Sequence, residues 1–307
     1  MSTPDPEDLL ALAADTAAAA ARLLADQGAQ GRPEVVETKS SLTDVVTAMD
    51  RRAEALITER IRAARPGDAI LGEEGGETHG APALDPGQSG GPSTAAAVRW
   101  IVDPLDGTVN YLYGLADWAV SIAAEVDGTI VAGVVAVPLH GETFTAVRGK
   151  GAWLHSTAER GSATGEGSTG GEPSVTGQPS VTALRCNRGV PLGQALVGTG
   201  FGYLPGRRRV QGEVVAALLP QIRDIRRGGS ASVDLCMVAA GRLDAFYERG
   251  LNYWDYAAGA LIAQEAGAHV TGLGGRPAGS SLTVAAGPGL YEELTAVLAA
   301  LNPERDA

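Results

Sequence analysis

Acidic residues gather at four places in this chain, each beside residues that could position a carboxylate for chemistry. The most telling is Trp100-Ile101-Val102-Asp103-Pro104-Leu105-Asp106-Gly107-Thr108-Val109-Asn110. An apolar strand delivers Asp103, and Pro104 then removes a backbone donor and breaks the ladder. Asp106 follows on a turn that Gly107 permits. Two carboxylates on a rigid strand end can bridge two hard divalent cations such as Mg²⁺, which takes oxygen ligands in fixed geometry. The Leu105 carbonyl between them is a further oxygen donor. If Gly107 and Thr108 open a helix, their amides face an anion. The plain alternative is an Asp-rich turn.

The other three places are weaker alone. Gly72-Glu73-Glu74-Gly75-Gly76 sets two acids directly after a short apolar strand, and a solvated turn explains it equally well. Asn252-Tyr253-Trp254-Asp255-Tyr256-Ala257-Ala258-Gly259 puts Asp255 ahead of a small-residue helix, where it could cap the helix and bind a cation at once. In Lys39 to Asp50, Thr47 and Asp50 lie three apart and can share one helix face. Brought together, these acids would repel one another and repel a phosphate. Metal ions resolve both conflicts, and a two-metal site can activate a water and stabilise a departing alkoxide. The constellation therefore reads as a metal phosphoesterase site and not as an acid/base pair.

Composition bounds the alternatives. The chain has 307 residues, 44% of them hydrophobic, enough for a large α/β unit or about two domains. Aromatics make up only 5%, so the core must be packed from small aliphatic residues. A formal charge of −12 excludes broad nucleic-acid or anionic-membrane binding as the expected role. Two cysteines, Cys186 and Cys236, form no metal or disulfide pattern, which points to a reduced, cytoplasmic setting. No run reaches the roughly 18 apolar residues of a membrane span, and the acidic N-terminus lacks the basic start of a secretory signal. The four histidines are scattered without ligand spacing. Arg207, Arg208 and Arg209, with Arg223, Arg226 and Arg227, are the basic concentrations. Solvated surface explains them most simply, a dimer contact or anion-steering patch less so.

The elements that must position the acids follow from periodicity. Helices are expected at 6–26, capped by Asp5, and at 43–64, with Thr43 as cap. Further helices are expected at 209–219, 230–240 and 255–265. Strands are expected at 69–71, 98–102, 118–126, 129–137, 142–147, 195–198, 224–226 and 243–248, with Asp127-Gly128 as a two-residue hairpin turn. Residues 77–94 read as a surface loop and 157–180 as a flexible Gly/Ser-rich insertion. That insertion divides the chain into an N-terminal part, 1–156, with most metal ligands and a C-terminal part, 181–307, that completes the site. Alternating strands and helices argue for a layered α/β architecture.

With these residues in order, the chain resembles the inositol monophosphatase family. Gly72 to Glu74, Asp103 to Thr108 and Trp254 to Gly259 match its three motifs, the segment 39–50 also fits, and the likeness spans about residues 8–300. The resemblance implies the αβαβα sandwich of the sugar-phosphatase superfamily, Mg²⁺ at two to three ions per site, a homodimer, lithium sensitivity and hydrolysis of a small phosphate monoester. It implies Glu73, Asp103 and the Leu105 carbonyl as ligands of one ion, Asp103, Asp106 and Asp255 as ligands of a second, and Glu73 at a weaker third. Thr108 and Asp50 would orient and deprotonate water, with the Gly107 and Thr108 amides cradling phosphate. Asp106, Ala231 (through its backbone), Glu248 and Asp255 would meet inositol hydroxyls, with Lys39, Asp44 and Glu74 in supporting places. Histidinol phosphate, fructose 1,6-bisphosphate and 3′-phosphoadenosine nucleotides are the competing substrates, and a regulatory binding protein without turnover is the reading from another class.

Overall fold

A computed structural model describes residues 4–28, 35–38, 45–80, 98–157 and 179–305. Helix α1 (Pro6–Gly28) buries Leu9, Ala13, Ala17, Ala20 and Leu24, the three-and-four spacing of one helix face. Asp5 caps it by accepting the Glu7 N–H at 2.9 Å. Strands β1 (Val35–Thr38) and β2 (Val45–Thr47) form an antiparallel ribbon. Helix α2 (Ala48–Ala64) follows directly, five residues later than the sequence suggests. Val45, Val46 and Thr47 are β-branched, and pairing with β1 holds them extended. Thr47 therefore serves as the cap; Thr43 lies outside the described residues.

The first sheet takes β3 (Ala69–Gly72), β4 (Gly76–Thr78), β5 (Val98–Asp106), then, after helix α3 (Thr108–Tyr113), β6 (Ala119–Val126), β7 (Thr129–Val137), β8 (Glu142–Val147), β9 (Gly151–Ser156) and β10 (Ser180–Ala183). Its order is β10-β9-β8-β7-β6-β5-β3-β4. Every pairing is antiparallel except β3 with β5. Strands and helices thus do not alternate here: consecutive strands meander, as short turns such as Asp127-Gly128, both at positive φ, allow. Glu77 and Thr78, read from sequence as loop, belong to β4. Neither β9 nor β10 was expected; the stretch 158–178 between them lies outside the described residues.

The second sheet has the order β12-β11-β13-β15-β14. Its elements are β11 (Leu196–Thr199), helix α4 (Pro205–Leu218), β12 (Asp224–Arg226), helix α5 (Ala231–Ala239), β13 (Ala245–Glu248), helix α6 (Tyr253–Glu265), β14 (His269–Thr271), β15 (Thr283–Ala286) and helix α7 (Leu290–Leu301). Here βα units do alternate, and β12, β11 and β13 run parallel.

Three apolar clusters order the layers. Leu9 and Ile57 of α1 and α2 pack with Trp100, Val102, Val120 and Ile122 on one face of the first sheet. Ile101, Ala119 and Ala123, alternating with them, face α5 and α6 on the other side. Leu218 of α4 with Leu294 and Leu298 of α7 covers the far face of the second sheet. The result is a mixed α/β sandwich of five layers, αβαβα. Its middle layer is thin because small residues meet there: a Cβ at Gly259 of α6 would lie 2.9 Å from Leu235 Cβ of α5. Among the described residues no helix is long and apolar enough to cross a membrane. Cys186 and Cys236 are both buried and unpaired with each other.

Candidate active site

The site begins with a register shift. Asp103 stands opposite Ser121 and Asp106 opposite Ala119, so Pro104 and Leu105 together face one residue of β6. In a regular strand, residues three apart point to opposite faces. The bulge adds one residue and turns Asp103 and Asp106 to the same side. Strand β5 therefore continues past Pro104 to Asp106, where the sequence suggests an end at Asp103. Gly107 follows at φ 94°, where a Cβ would lie 2.9 Å from the Asp117 carbonyl, and α3 starts at Thr108.

Behind Thr108 lies α2. The Thr108 hydroxyl is 2.9 Å from Asp50 Oδ1 and 3.1 Å from the Leu105 carbonyl. Asp50 is 1% exposed. Its Oδ2 accepts both the N–H (2.8 Å) and the hydroxyl (2.6 Å) of Thr47. Thr47 and Asp50 thus form a capping box, not two positions of one helix face. Burial pushes the Asp50 carboxyl up, against the lowering pull of its hydrogen bonds from Thr47 and Thr108.

The facing wall comes from the second half. Ser230 caps α5 and donates to Asp106 Oδ2 at 2.7 Å; Ser232 reaches the same oxygen with its N–H (2.7 Å) and its hydroxyl (2.6 Å). Asp255 takes the third position of α6, where its Oδ2 accepts the Asn252 N–H at 2.6 Å. Glu248 ends β13 against Gly200, where a Cβ would fall 2.0 Å from the Glu248 carboxylate. Glu73 follows β3, its N–H bonded to the Val102 carbonyl at 3.2 Å.

Glu73, Asp103, Leu105, Asp106, Gly107 and Thr108 line one cavity of about 380 Å³, together with Ala231, Glu248 and Asp255. Asp50 stands behind Thr108. Glu74 lines a separate cavity on the far side of its turn, and Lys39 and Asp44 lie outside the described residues. Arg207 and Arg227, read from sequence most simply as surface charge, also line this cavity. The sequence assigns Ser230 and Ser232 no contact with Asp106; a Ser-x-Ser at a helix start was the available signal.

Electrostatics shows what kind of group the cavity would accept. Burial raises Asp103 and Asp255 well above the ordinary carboxylate range, and neighbouring carboxylates raise them further: Glu73, Asp106 and Asp255 act on Asp103, and Asp106 and Glu73 on Asp255. Asp106 is raised by burial and held back by its serine hydrogen bonds. Burial, then Asp106, lifts Glu248 to about 8, with Arg227 opposing. Like charges confined in one cavity are costly unless a cation joins them, and an all-oxygen donor set suits Mg²⁺. As the side chains stand, no three among the described residues ring a single point tightly enough to be a finished cage. The donor chemistry fits a hard divalent ion, which would draw these carboxylates inward.

Comparison with known proteins decides the family. The inositol monophosphatase family model matches residues 5–305. The chain belongs to the inositol monophosphatase family. Family membership places it among phosphatases. An inositol-1-monophosphatase, SuhB, of Mycobacterium tuberculosis is 45% identical over 273 residues, covering 87% of this chain and 82% of the relative. The solved structure of Mycobacterium tuberculosis SuhB superposes with a TM-score of 0.73 at 40% identity, covering 98% of this chain and 99% of the other. A Pseudomonas aeruginosa relative named Nus factor SuhB is 38% identical, covering 76% of this chain and 73% of its own. Family names therefore span a phosphatase and a factor named for another role.

Proposed function

We propose that this chain hydrolyses inositol monophosphate to inositol and phosphate, with two to three Mg²⁺ ions in the carboxylate cavity. The carrying observation is the Thr108 hydroxyl in the cavity wall, 2.9 Å from buried Asp50 and beside the metal-type carboxylates. Thr108 donates its proton to Asp50 and keeps its lone pairs for an incoming water. Thr47 occupies Asp50 Oδ2, so Oδ1 is the oxygen aimed at Thr108. The raised carboxyl of Asp50 is the better proton acceptor for the water drawn up through Thr108. The water oxygen bonds to phosphorus as the bond from phosphorus to the inositol oxygen breaks; the attacking water's proton passes through Thr108 to Asp50, and the departing oxygen takes a proton from a solvent water.

Glu73, Asp103 and the Leu105 carbonyl would hold one ion, Asp103, Asp106 and Asp255 a second, and Glu73 a weaker third. Mg²⁺ bound there supplies positive charge for the phosphate, acidifies water and stabilises the leaving oxygen. The Gly107 and Thr108 amides orient phosphate. Asp106, Asp255, the Ala231 backbone and Glu248 orient the inositol hydroxyls. A homodimer, lithium inhibition and a cytoplasmic setting belong to the same reading. The test is phosphate release from inositol 1-phosphate, histidinol phosphate, fructose 1,6-bisphosphate and 3′-phosphoadenosine 5′-phosphate, each with Mg²⁺ and with chelator. Strongest magnesium-dependent turnover of inositol phosphate is expected; dominance of another substrate keeps the site and changes the specificity.

A second reading rests on the Pseudomonas aeruginosa relative's name, Nus factor SuhB: a regulatory binding role, with or without turnover. The −12 charge speaks against direct broad nucleic-acid binding, so the partner in that reading is a protein. Absence of turnover on all four substrates with Mg²⁺ bound would favour it.

A further inference from the structure

Helix α2 carries a second buried carboxylate one turn beyond Asp50. Glu54 is 9% exposed. Its Oε2 accepts the Glu74 N–H at 2.8 Å and its Oε1 the Gly75 N–H at 2.6 Å. One carboxylate thus clamps two successive amides of the turn that presents Glu73. The neighbouring glycines are shaped to that clamp. A Cβ at Gly72 would lie 2.6 Å from Glu54 Cδ, and one at Gly75 would lie 2.7 Å from Glu54 Oε1. Side-chain carbons cannot approach that closely, so the glycines flanking Glu73 and Glu74 make room for Glu54. A further tie on the turn is the Glu73 N–H to the Val102 carbonyl, on β5 just before Asp103. Glu54 lines the outer cavity with Glu74 and not the catalytic one.

We propose that Glu54 is a positioning residue: it locks the Glu73-Glu74-Gly75 turn from behind, so that Glu73 is preset toward the cation cavity. Glu54 touches neither ion nor substrate. Because α2 also carries Asp50, one rigid helix sets both the proton acceptor behind Thr108 and the turn that bears a metal ligand. A charged acceptor bonded to backbone amides gives strong, directional contacts. Glu54→Gln keeps the shape but gives one oxygen for two amides and aims an NH₂ at the other.

The inference rests on the reading of Glu73 as a metal ligand, and the experiment separates the two. Mn²⁺ or Mg²⁺ affinity is measured by calorimetry on substrate-free wild type, Glu54→Gln, Glu54→Asp and Glu73→Gln. Amide exchange at Glu74 and Gly75 is measured in chelator. Expected for Glu54→Gln is a 10- to 100-fold loss of metal affinity, the scale seen for residues that orient ligands. The Glu74 and Gly75 amides should exchange faster, while melting in chelator and kcat at saturating Mg²⁺ stay near wild type. Glu54→Asp, one methylene short of the turn, should lie between. Weaker binding in Glu73→Gln with unchanged binding in both Glu54 variants would overturn the positioning role alone. Unchanged binding in Glu73→Gln would overturn the ligand reading beneath it. A Glu54→Gln protein that melts early in chelator, with affinity falling only in proportion, would make Glu54 a fold-stabilising residue and overturn the inference too.

Discussion

The two walls of the candidate cavity are built differently. One is a strand end and its turn: Asp103, Leu105, Asp106 and Thr108 within six residues, set by a bulge, with Asp50 behind. The other is assembled from the ends of separate elements: Ala231 at the start of α5, Glu248 at the end of β13 and Asp255 in the first turn of α6. In the proposed function the first wall would supply most contacts to ions and water, while the second would supply Asp255 to an ion and the Ala231 backbone and Glu248 to the substrate's hydroxyls. Perturbing the first wall should then change turnover on every substrate, and perturbing Glu248 on the second should change one substrate against another.

The largest effect tests the first wall. Asp103→Asn, at the carboxylate proposed to serve two ions, should cost about 10³-fold in kcat/KM, or ~4 kcal/mol of transition-state stabilisation, on all phosphate monoesters. Near-normal rates at saturating Mg²⁺ would break the two-ion arrangement. Thr108→Ala should lower kcat by about 10²-fold, the usual scale for lost proton-transfer assistance, with metal affinity by calorimetry unchanged. Glu248→Ala moves to the second wall. It should raise KM for inositol phosphate about 10-fold, the upper end of the ~0.5–1.5 kcal/mol of a typical hydrogen bond, and leave KM for a simple aryl phosphate within about twofold. Equal effects on both substrates would erase the distinction between the walls.

The smallest effect is thermal. Asp103 and Asp255 are raised in the folded protein. A group raised on folding stabilises below its unfolded pKa and loses that contribution as pH rises through its folded pKa. Chelated protein should therefore melt progressively lower as pH rises above about 4, the unfolded carboxylate value. Each ~1 kcal/mol should cost about 2 °C. Mg²⁺ should flatten the slope. An equal slope with and without Mg²⁺ would mean that these carboxylates do not meet the ion.

The contrast between the walls also explains how much the sequence disclosed. Asp103 to Thr108 and Trp254 to Gly259 were legible because each acid sits beside the glycine, proline or helix start that shapes it. Ser230 and Ser232 were not, because their target, Asp106, lies 124 and 126 residues away in the chain. Arg207 and Arg227 read as surface because nothing local distinguishes a cavity-lining arginine from a solvated one. Glu54 was invisible for the same reason: its partners are the amides of Glu74 and Gly75, which any residue carries. In the fold, the sandwich was legible through its motifs, and β6 to β8 through their consecutive apolar runs and the Asp127-Gly128 turn, whereas β9 and β10 were not, since only pairing reveals them. The start of α2 was misplaced because tertiary pairing of β1 with β2 overrides the local pattern. Helix α7 carries Leu290, Leu294 and Leu298 at four-residue spacing, a helical pattern left unassigned above.

The bulge at Pro104-Leu105 makes the centre a matter of parity. Side chains along a strand alternate, so an odd or even count between two residues decides whether they share a face. Straightening the bulge at constant length, with Pro104 and Leu105 in regular pairing, would leave composition and charge untouched and the apolar strand intact. It would nonetheless send one of the two carboxylates to the opposite face, among Trp100 and Val102 in the packing against α1 and α2. The irregular pairing of two residues against one is therefore as necessary to the site as the two acids themselves.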